Sequence, residues 1–259
     1  MPAPRMEERR GLRGGRLWVF DTLPSTNAWA LEHLAALAPG DAVRAVRQTA
    51  GYGRFGRSWN CPADRALAVS YVWLPPPAVS AAHCTQAAAV AVAETVAACG
   101  ADASLKWPND VLVGGRKVAG ILAEQRGADP RLVLGVGLNV NLTAADLARH
   151  PWGRSATSLR LATGQRHAVD ALLDRLTERL AQSLEGLAEQ GFGWVLERWR
   201  RRDALRGRRI AVRTPQGRTA GLCLGVGAAG QLRLRRADGG IAEFLSGDVT
   251  LRAAAAGRS

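Results

Sequence analysis

The sequence predicts an α/β protein whose chain ends in a small β-barrel. With 259 residues, the chain can bury a full core in one large domain that carries a small appendage. Up to about residue 205, apolar runs of strand length alternate with long segments of helical periodicity. From Gly207 onward, short β segments separated by glycine and proline follow closely on one another, which is typical of a small barrel.

The first elements come after an arginine-rich leader. Residues 1–15 contain no apolar run, and we expect them to be disordered. Residues 17–20 predict the first strand, and an alanine- and leucine-rich helix should follow it as far as about Leu37. Ser25 or Thr26 is a natural N-cap for that helix. Because a helix N-terminus also carries unpaired N–H groups, the same place can bind a polar ligand head, and both roles remain open.

The middle of the chain predicts further strands and one long helix. Residues 41–48, 66–74 and 131–140 have strand patterns, and a hairpin with a Gly114-Gly115 turn is expected between residues 111–113 and 116–124. Residues 80–99 predict a long amphipathic helix with apolar residues on one side. Further helices are predicted over residues 169–187 and 193–205. The expected parts are a leader (1–15), a large domain (16–205), a small β domain (206–253) and a tail (254–259).

Composition restricts the function classes. A formal charge of +13 would suggest a nucleic acid or a membrane surface as partner. However, only Lys106 and Lys117 among the 35 basic residues are lysines, and the arginines are scattered along the chain. The four cysteines and four histidines show no metal-ligand spacing. Without a secretory signal or an apolar run of roughly 18 residues, we expect a cytoplasmic protein with free thiols.

A glycine- and arginine-rich loop is the strongest local signal. Residues 51–59 have the sequence G-Y-G-R-F-G-R-S-W. Glycines let the backbone approach a ligand closely, and guanidinium groups can grip carboxylate or phosphate oxygens. The spacing matches a dinucleotide fingerprint, but Pro62 prevents the required helix and no acid follows about 20 residues later. The loop is therefore interpreted as an anion-binding loop, with a plain surface loop as the alternative.

Six ordered motifs resemble those of the biotin protein ligases, the biotin–[acetyl-CoA-carboxylase] ligases. They are S-T-N at 25–27, the loop at 51–59, K-W-P-N-D at 106–110, G-R-K-V-A-G-I-L at 115–122, G-V-G-L-N-V-N at 135–141 and A-T-S-L at 156–159. The resemblance spans roughly residues 17–252. Tyr52 stands where the family usually has arginine. The chain starts almost directly with the catalytic domain, without a winged helix, and so resembles the monofunctional group.

The resemblance implies the biotinyl/lipoyl protein ligase catalytic fold, a mixed central β-sheet with helices on one side, and an SH3-like C-terminal barrel. It also implies that ATP and Mg²⁺ activate biotin as biotinyl-5'-AMP, which then reacts with a lysine of a biotin carboxyl carrier domain. No specific DNA and no membrane are expected as partners, and a homodimer is left open. The alternatives are a lipoate or octanoate ligase or transferase of the same fold and, from another class, a basic nucleic-acid-binding module.

The resemblance also implies roles for individual residues. Lys117, Arg54 and Asp110 are the implied catalytic residues, with Lys117 between the biotin carboxylate and the α-phosphate. Arg54 and Lys117 are also implied to contact both biotin and ATP. The other implied biotin-binding residues are Ser25, Thr26, Asn27, Gln48, Tyr52, Gly53 and Gly120. The other implied ATP-binding residues are Arg57, Trp59, Asn109, Asn139 and Trp152. Mg²⁺ is expected on the phosphates, without a site made by protein side chains alone.

Overall fold

A computed structural model describes residues 4–8 and 10–251, without the side chains of Asn60 and Leu251. Its large sheet contains β1 (Arg5–Glu7), β2 (Leu17–Leu23), β3 (Ala42–Tyr52), β4 (Ser58–Cys61), β5 (Ala66–Trp73), β6 (Ala103–Lys106), β7 (Asp110–Val113), β8 (Arg116–Gln125) and β9 (Leu132–Asn139). The α-helices are α1 (Thr26–Glu32), α2 (Ala81–Ala98), α3 (Ala144–Ala148), α4 (Leu159–Thr163), α5 (Val169–Gln190) and α6 (Phe192–Arg200). A second sheet contains β10 (Arg209–Thr214), β11 (Gly217–Val226), β12 (Leu232–Arg235), β13 (Ile241–Phe244) and β14 (Asp248–Leu251).

The large sheet is mixed, as predicted. Its strand order is β1-β2-β3-β5-β9-β8-β7-β6, and β4 pairs with β3. Strands β2 and β3 run parallel to each other, whereas the other pairs are antiparallel. The predicted Gly-Gly hairpin is confirmed: β7 and β8 are joined at Gly114 and Gly115, which both have positive φ, as two-residue hairpin turns require.

Helix α2 begins and ends close to its predicted bounds, but the prediction that it is amphipathic is wrong. Ser80 caps its N-terminus by accepting a hydrogen bond from the N–H of His83. Its residues from Ala87 to Ala93 are all buried, because the helix lies between the large sheet and the pair α5 and α6. The alanines make every side of the helix small enough to pack closely. A helix enclosed in this way needs no polar face.

The expectation that the helices lie on one side of the sheet is also wrong. Helices α2 and α5 share a core cluster with Leu67, Val69 and Tyr71 of β5. Helix α1 packs on the opposite face, where Val72 belongs to a separate cluster with Ala30. Alternate residues of a strand point to opposite faces, so β5 is covered on both sides. The site-bearing N-terminus of α1 is thereby fixed against the sheet.

The prediction of a disordered leader is wrong for the described part of it. Strand β1 pairs antiparallel with β2, and the side chain of Leu12 is buried in the main core. Arg10 forms an ion pair with Asp174 of α5 at 2.7 Å. A short strand with mixed polar residues gives no alternation signal, which explains the error. Residues 1–3 and 9 of the leader and the whole predicted tail, residues 254–259, lie outside the described residues.

The second sheet forms the expected C-terminal β domain. Its order is β13-β12-β11-β10-β14, so four consecutive strands form a meander and the last strand returns beside β10. Two buried side chains attach it to the large domain: Trp107 Nε1 and Gln86 Nε2 donate to the carbonyl of Gly230, at 3.0 and 2.7 Å. Within the described chain, no helix is both long and apolar enough to span a membrane.

Candidate active site

A cleft of about 730 Å³ lies between the large sheet and the start of β14. Its walls come from α1, the β3–β4 loop, the hairpin β7–β8, β9 and the segment 152–156. The structure brings all the predicted site residues together here: Ser25, Thr26, Asn27, Gln48, Tyr52, Gly53, Arg54, Arg57, Trp59, Asn109, Asp110, Lys117, Gly120, Asn139 and Trp152 line the cleft. Their individual roles in catalysis or binding remain predictions.

Three strand glycines make room for side chains that line the cleft. A Cβ atom at Gly135 would lie 2.2 Å from Asn27 Oδ1, and one at Gly137 would lie 2.3 Å from the Trp59 ring. At Gly120 it would lie 2.9 Å from Lys117 Nζ. Glycine inside a strand often marks such a close approach. Gly120, Gly135 and Gly137 therefore have a steric reason that does not depend on any ligand.

The N-terminus of α1 forms the most buried end of the cleft. Ser25 Oγ accepts a hydrogen bond from the N–H of Ala28 at 3.3 Å, so Ser25 is the N-cap. The N–H of Thr26 donates to Gln48 Oε1 at 2.9 Å. Ser70 Oγ lies 2.7 Å from Thr26 Oγ1. Capping and cleft lining thus coexist at residue 25, and Gln48 is fixed by the same helix end.

Glu124 belongs to this region and was missed by the sequence reasoning. Asn27 Nδ2 donates to Glu124 Oε2 at 2.8 Å, and the Tyr52 hydroxyl donates to the same oxygen at 3.1 Å. Burial, together with the nearby Glu124 carboxylate, raises the pKa of Tyr52 to about 12, so its hydroxyl remains a donor. The strand period of two could have revealed Glu124, because Gly120 and Leu122 line the cleft from the same face of β8.

Both lysines of the chain face one carboxylate. Lys117 Nζ lies 2.5 Å from Asp110 Oδ1, and Lys106 Nζ lies 4.0 Å from Asp110 Oδ2. The pairing of strands sets this geometry, because Asp110 lies opposite Lys106 in β6 and opposite Gly120 in β8. Lys117 Nζ also lies 5.6 Å from the ring centroid of Trp59. Two ammonium groups on one carboxylate leave net positive charge in the cleft, which suits an anionic substrate.

The predicted anion-binding loop is the turn of the hairpin β3–β4, and the second domain holds its arginines. Arg54 Nη1 donates to the carbonyl of Gly247 at 3.1 Å, and Arg54 Nη2 donates to Ser246 Oγ at 2.8 Å. Arg57 forms an ion pair with Asp248, which lowers the pKa of that carboxyl. Burial lowers the pKa of Arg54. No motif in the sequence indicated that the second domain would bind this loop.

Two predicted nucleotide-binding amides are engaged with the main chain. Asn109 Nδ2 donates to the carbonyl of Ile121 at 2.7 Å, and Asn139 Nδ2 donates to the carbonyl of Thr157 at 3.0 Å. These bonds hold the cleft walls together, and each amide keeps its oxygen and a second N–H with which it could meet a ligand. The ring of Trp152 stacks on His150 with centroids 4.5 Å apart.

Trp59 has a buried indole N–H that lacks a hydrogen-bond partner among the described residues. Buried donors are nearly always paired, and this ring lines the cleft. A bound acceptor would satisfy it. No group of three or more histidine, cysteine, aspartate or glutamate side chains in the described part of the chain is arranged to hold a metal ion.

Comparison with known proteins identifies relatives of this chain. The model of the biotin/lipoate A/B protein ligase family matches residues 19–141. The biotin--[acetyl-CoA-carboxylase] ligase of Paracoccus denitrificans is 37% identical over 82% of this chain and 90% of the relative. The bifunctional ligase/repressor BirA of Escherichia coli (strain K12) is 30% identical over 94% of this chain and 76% of the relative.

A solved structure is similar over nearly the whole chain. The biotin protein ligase from Aquifex aeolicus in complex with biotin and ATP matches with a TM-score of 0.80 and 26% identity, over 92% of this chain and 99% of that one. Sequence and fold thus agree across both the large and the small domain. The chain belongs to the biotin protein ligases of the biotin/lipoate A/B protein ligase family.

Proposed function

We propose that this protein is an ATP-dependent ligase that activates biotin as biotinyl-5'-AMP and transfers the biotinyl group to a lysine of a biotin carboxyl carrier domain. One observation carries the proposal: a single cleft joins a buried polar end at α1, two lysines on Asp110 and an arginine-bearing loop. These are the parts that a neutral polar head, a carboxylate and a triphosphate require.

Biotin binds with its ureido head at the N-terminus of α1. There Ser25, Thr26, Asn27 and Gln48 offer hydroxyl and amide groups, all of them buried. The Trp59 ring lies over Gly137 and offers an apolar face to the rings of biotin. Tyr52 and Gly53 close the pocket from the loop side. The biotin carboxylate then points toward Lys117, which lies beside Gly120.

Adenylate formation is a displacement at the α-phosphate. An oxygen of the biotin carboxylate attacks the phosphorus, and the bond to the bridging oxygen of pyrophosphate breaks. Negative charge builds up on the phosphoryl oxygens and on the leaving pyrophosphate, so fixed positive groups lower the barrier. In this proposal Lys117 stabilises the α-phosphoryl oxygens, and Arg54 and Arg57 exchange their contacts with the second domain for contacts with the phosphates. Mg²⁺ enters with ATP as part of the nucleotide substrate, held mainly by phosphates and water.

The nucleotide base occupies the other end of the cleft. Asn139, Asn109 and the segment 152–156 form that wall, and Trp152 offers an aromatic face to the adenine. In the second step the neutral amine of the carrier lysine attacks the acyl carbon and AMP leaves with its bonding electrons. The amine must lose a proton in this step. Asp110 and Asp248 both line the cleft. Asp248 is paired with Arg57, so we assign to Asp110, beside Lys117, the role of orienting the amine and accepting the proton.

We further propose that the reaction takes place in a reducing compartment such as the cytoplasm. All four cysteines are free, and Cys61, Cys84 and Cys223 are buried. Burial raises the pKa of Cys61 to about 12, which keeps that thiol protonated and unreactive.

The proposed function is tested by measuring which carboxylic acid substrate supports ATP–pyrophosphate exchange. Purified protein is incubated with ATP, Mg²⁺ and labelled pyrophosphate, together with biotin, lipoate or octanoate in parallel. Exchange that depends on biotin, followed by a mass increase of one biotinyl group on an apo carrier domain, is the expected result. Exchange driven by lipoate or octanoate instead of biotin would assign the chain to the alternative acids of the same fold.

A further inference from the structure

A second groove adjoins the cleft on the outside of the second domain. It encloses about 960 Å³ and is lined by the β10–β11 hairpin, the segment between β13 and β14, and the tip of the β3–β4 loop. Phe55, Arg57 and Asp248 line both the groove and the cleft. A molecule seated in the groove would therefore lie at the mouth of the active site.

The rim of this groove exposes the two most accessible large hydrophobic side chains among the described residues. Leu245 is 73% exposed and Phe55 is 65% exposed. Phe55 also has a φ of 59°, a left-handed conformation that is unfavourable for a bulky residue and is found mainly at functional sites. The chain therefore presents both side chains to the outside next to the cleft, which folding alone does not require.

The groove also carries uncompensated positive charge. Arg213 and Arg218 are direct cross-strand partners in β10 and β11, both are exposed, and neither has an ion pair among the described residues. Like charges directly opposite each other destabilise a sheet. Asp248 lies opposite Arg213 in the neighbouring strand β14, but its ion pair is with Arg57. Glu243 is paired with Arg233, so the groove keeps a net positive charge.

We propose that this groove is the docking surface for the carrier domain that receives biotin. Its arginines bind an acidic face of that domain, and Phe55 and Leu245 make the apolar contact. This inference rests on the proposed function. The acceptor lysine must reach Asp110 and Lys117 from outside, and the groove is continuous with the cleft that contains them. Apolar anchors next to arginines are typical of protein interfaces, and free arginines would steer an acidic partner toward the cleft.

Charge reversal and truncation in the groove test the inference. The groove variants are the double substitution Arg213→Glu with Arg218→Glu, and Leu245→Ser. The matched controls are Arg235→Glu and Ile241→Ser, since these two residues are also exposed cross-strand partners in the same sheet but lie outside the groove. All five positions are on the surface, and thermal unfolding of each variant checks that the fold is retained.

Three measurements separate binding of the carrier domain from the formation and reactivity of the adenylate. For the groove variants we expect the KM for an apo biotin carboxyl carrier domain to rise about tenfold or more at low salt. Biotin-dependent pyrophosphate exchange should match the parent, and so should the rate at which hydroxylamine traps biotinyl-adenylate as biotinyl hydroxamate with loss of AMP. The controls should match the parent in all three assays. In the parent, the KM for the carrier should also rise with salt, less so in the arginine variants.

The possible contradictions are distinct. If the KM for the carrier is unchanged in the groove variants and the parent shows biotin-dependent exchange, the groove is not the docking surface, but the proposed function stands. A parallel fall in exchange would assign the groove to the nucleotide site. Dissociation of a parental dimer by Leu245→Ser in sedimentation, without a change in KM, would make a second copy of this chain the occupant. No biotin-dependent exchange in the parent would refute the proposed function, and with it the carrier as occupant.

Discussion

Removing the ammonium group of Lys117 should separate adenylate formation from biotin binding. Lys117 Nζ lies 2.5 Å from Asp110 Oδ1 at the point where we place the α-phosphate. Loss of one positioned donor to a developing negative charge typically removes about 2–4 kcal/mol of transition-state stabilisation. We therefore expect Lys117→Ala to slow biotin-dependent pyrophosphate exchange by about 30- to 1000-fold. The substitution does not touch the N-terminus of α1, where we propose that the ureido head binds, so the Kd for biotin should change much less.

The folded state should tolerate this substitution. The side chains of Lys117 and Asp110 are 35% and 19% exposed, and ion pairs with access to solvent contribute only about 0.2–1 kcal/mol. Lys106 remains 4.0 Å from Asp110, so the carboxylate keeps a positive neighbour. A fall of the exchange rate without a large loss in the free energy of unfolding is the expected combination.

Two further variants provide the control. Lys117→Arg keeps the charge and should recover part of the exchange rate. Gly120→Ala keeps the lysine but places a Cβ atom 2.9 Å from Nζ, so it should displace the ammonium and lower the exchange rate by a smaller factor than Lys117→Ala. Biotin affinity is measured by calorimetry in each variant. A normal exchange rate in Lys117→Ala would refute the assignment of Lys117 to this step.

The other predictions concern the loop, the biotin pocket, the core and the surface charge. Arg54→Gly should release biotinyl-adenylate early and label bystander lysines, and an intermediate held as tightly as in the parent would show that the loop is not a lid. Glu124→Gln removes the charged acceptor of the Asn27 amide, so the KM for biotin should rise about tenfold or more with a smaller change in kcat, partly rescued by Glu124→Asp; an unchanged KM would contradict this. Gly137→Ala forces a Cβ atom to within 2.3 Å of the Trp59 ring and should lower the free energy of unfolding by about 1–3 kcal/mol, measured by urea denaturation. Because the arginines are scattered, any affinity for duplex DNA should ignore sequence and fall steeply with salt in gel-shift titrations, whereas a preference of about a thousandfold for one sequence would argue against it.

Local sequence patterns predicted most of the elements that form the cleft, because each element depends mainly on residues that are close together in the sequence. The Gly114-Gly115 turn and the strand β5 depend on patterns within a few residues, and both are present, but the polar–apolar alternation expected for β5 is wrong because all eight of its residues are buried. The burial of α2 on all sides could not be predicted in this way, since an alanine-rich helix gives no strong face. Strand β4 has only four residues, and its pairing with β3 follows from the turn at residues 53–57.

The contacts between the two domains could not be predicted from the sequence, for a different reason. Arg54 and Ser246 are 192 residues apart, and a serine in a polar turn carries no sign of what it will bind. Glu124 was missed although its strand was predicted, because a charged residue near the end of a strand is usually a solvated one. Only the fold shows that its carboxylate receives hydrogen bonds from both Asn27 and Tyr52.

The attachment of the loop to the second domain bears on how the loop could move. Arg54 makes two hydrogen bonds to residues 246 and 247, and Arg57 makes one solvent-exposed ion pair with Asp248. Hydrogen bonds from a charged donor contribute about 1.5–3 kcal/mol each, and an exposed ion pair contributes about 0–1 kcal/mol. Bonds from the same guanidinium groups to phosphate join two charged partners and can be bidentate, so they can compete with these contacts. The adenylate can therefore draw the arginines inward through its differential affinity for the two loop positions. Contacts with the second domain then oppose closure of the loop, and the ligand must overcome their free energy. We therefore expect Ser246 and Asp248 to influence adenylate retention even if they do not touch the adenylate.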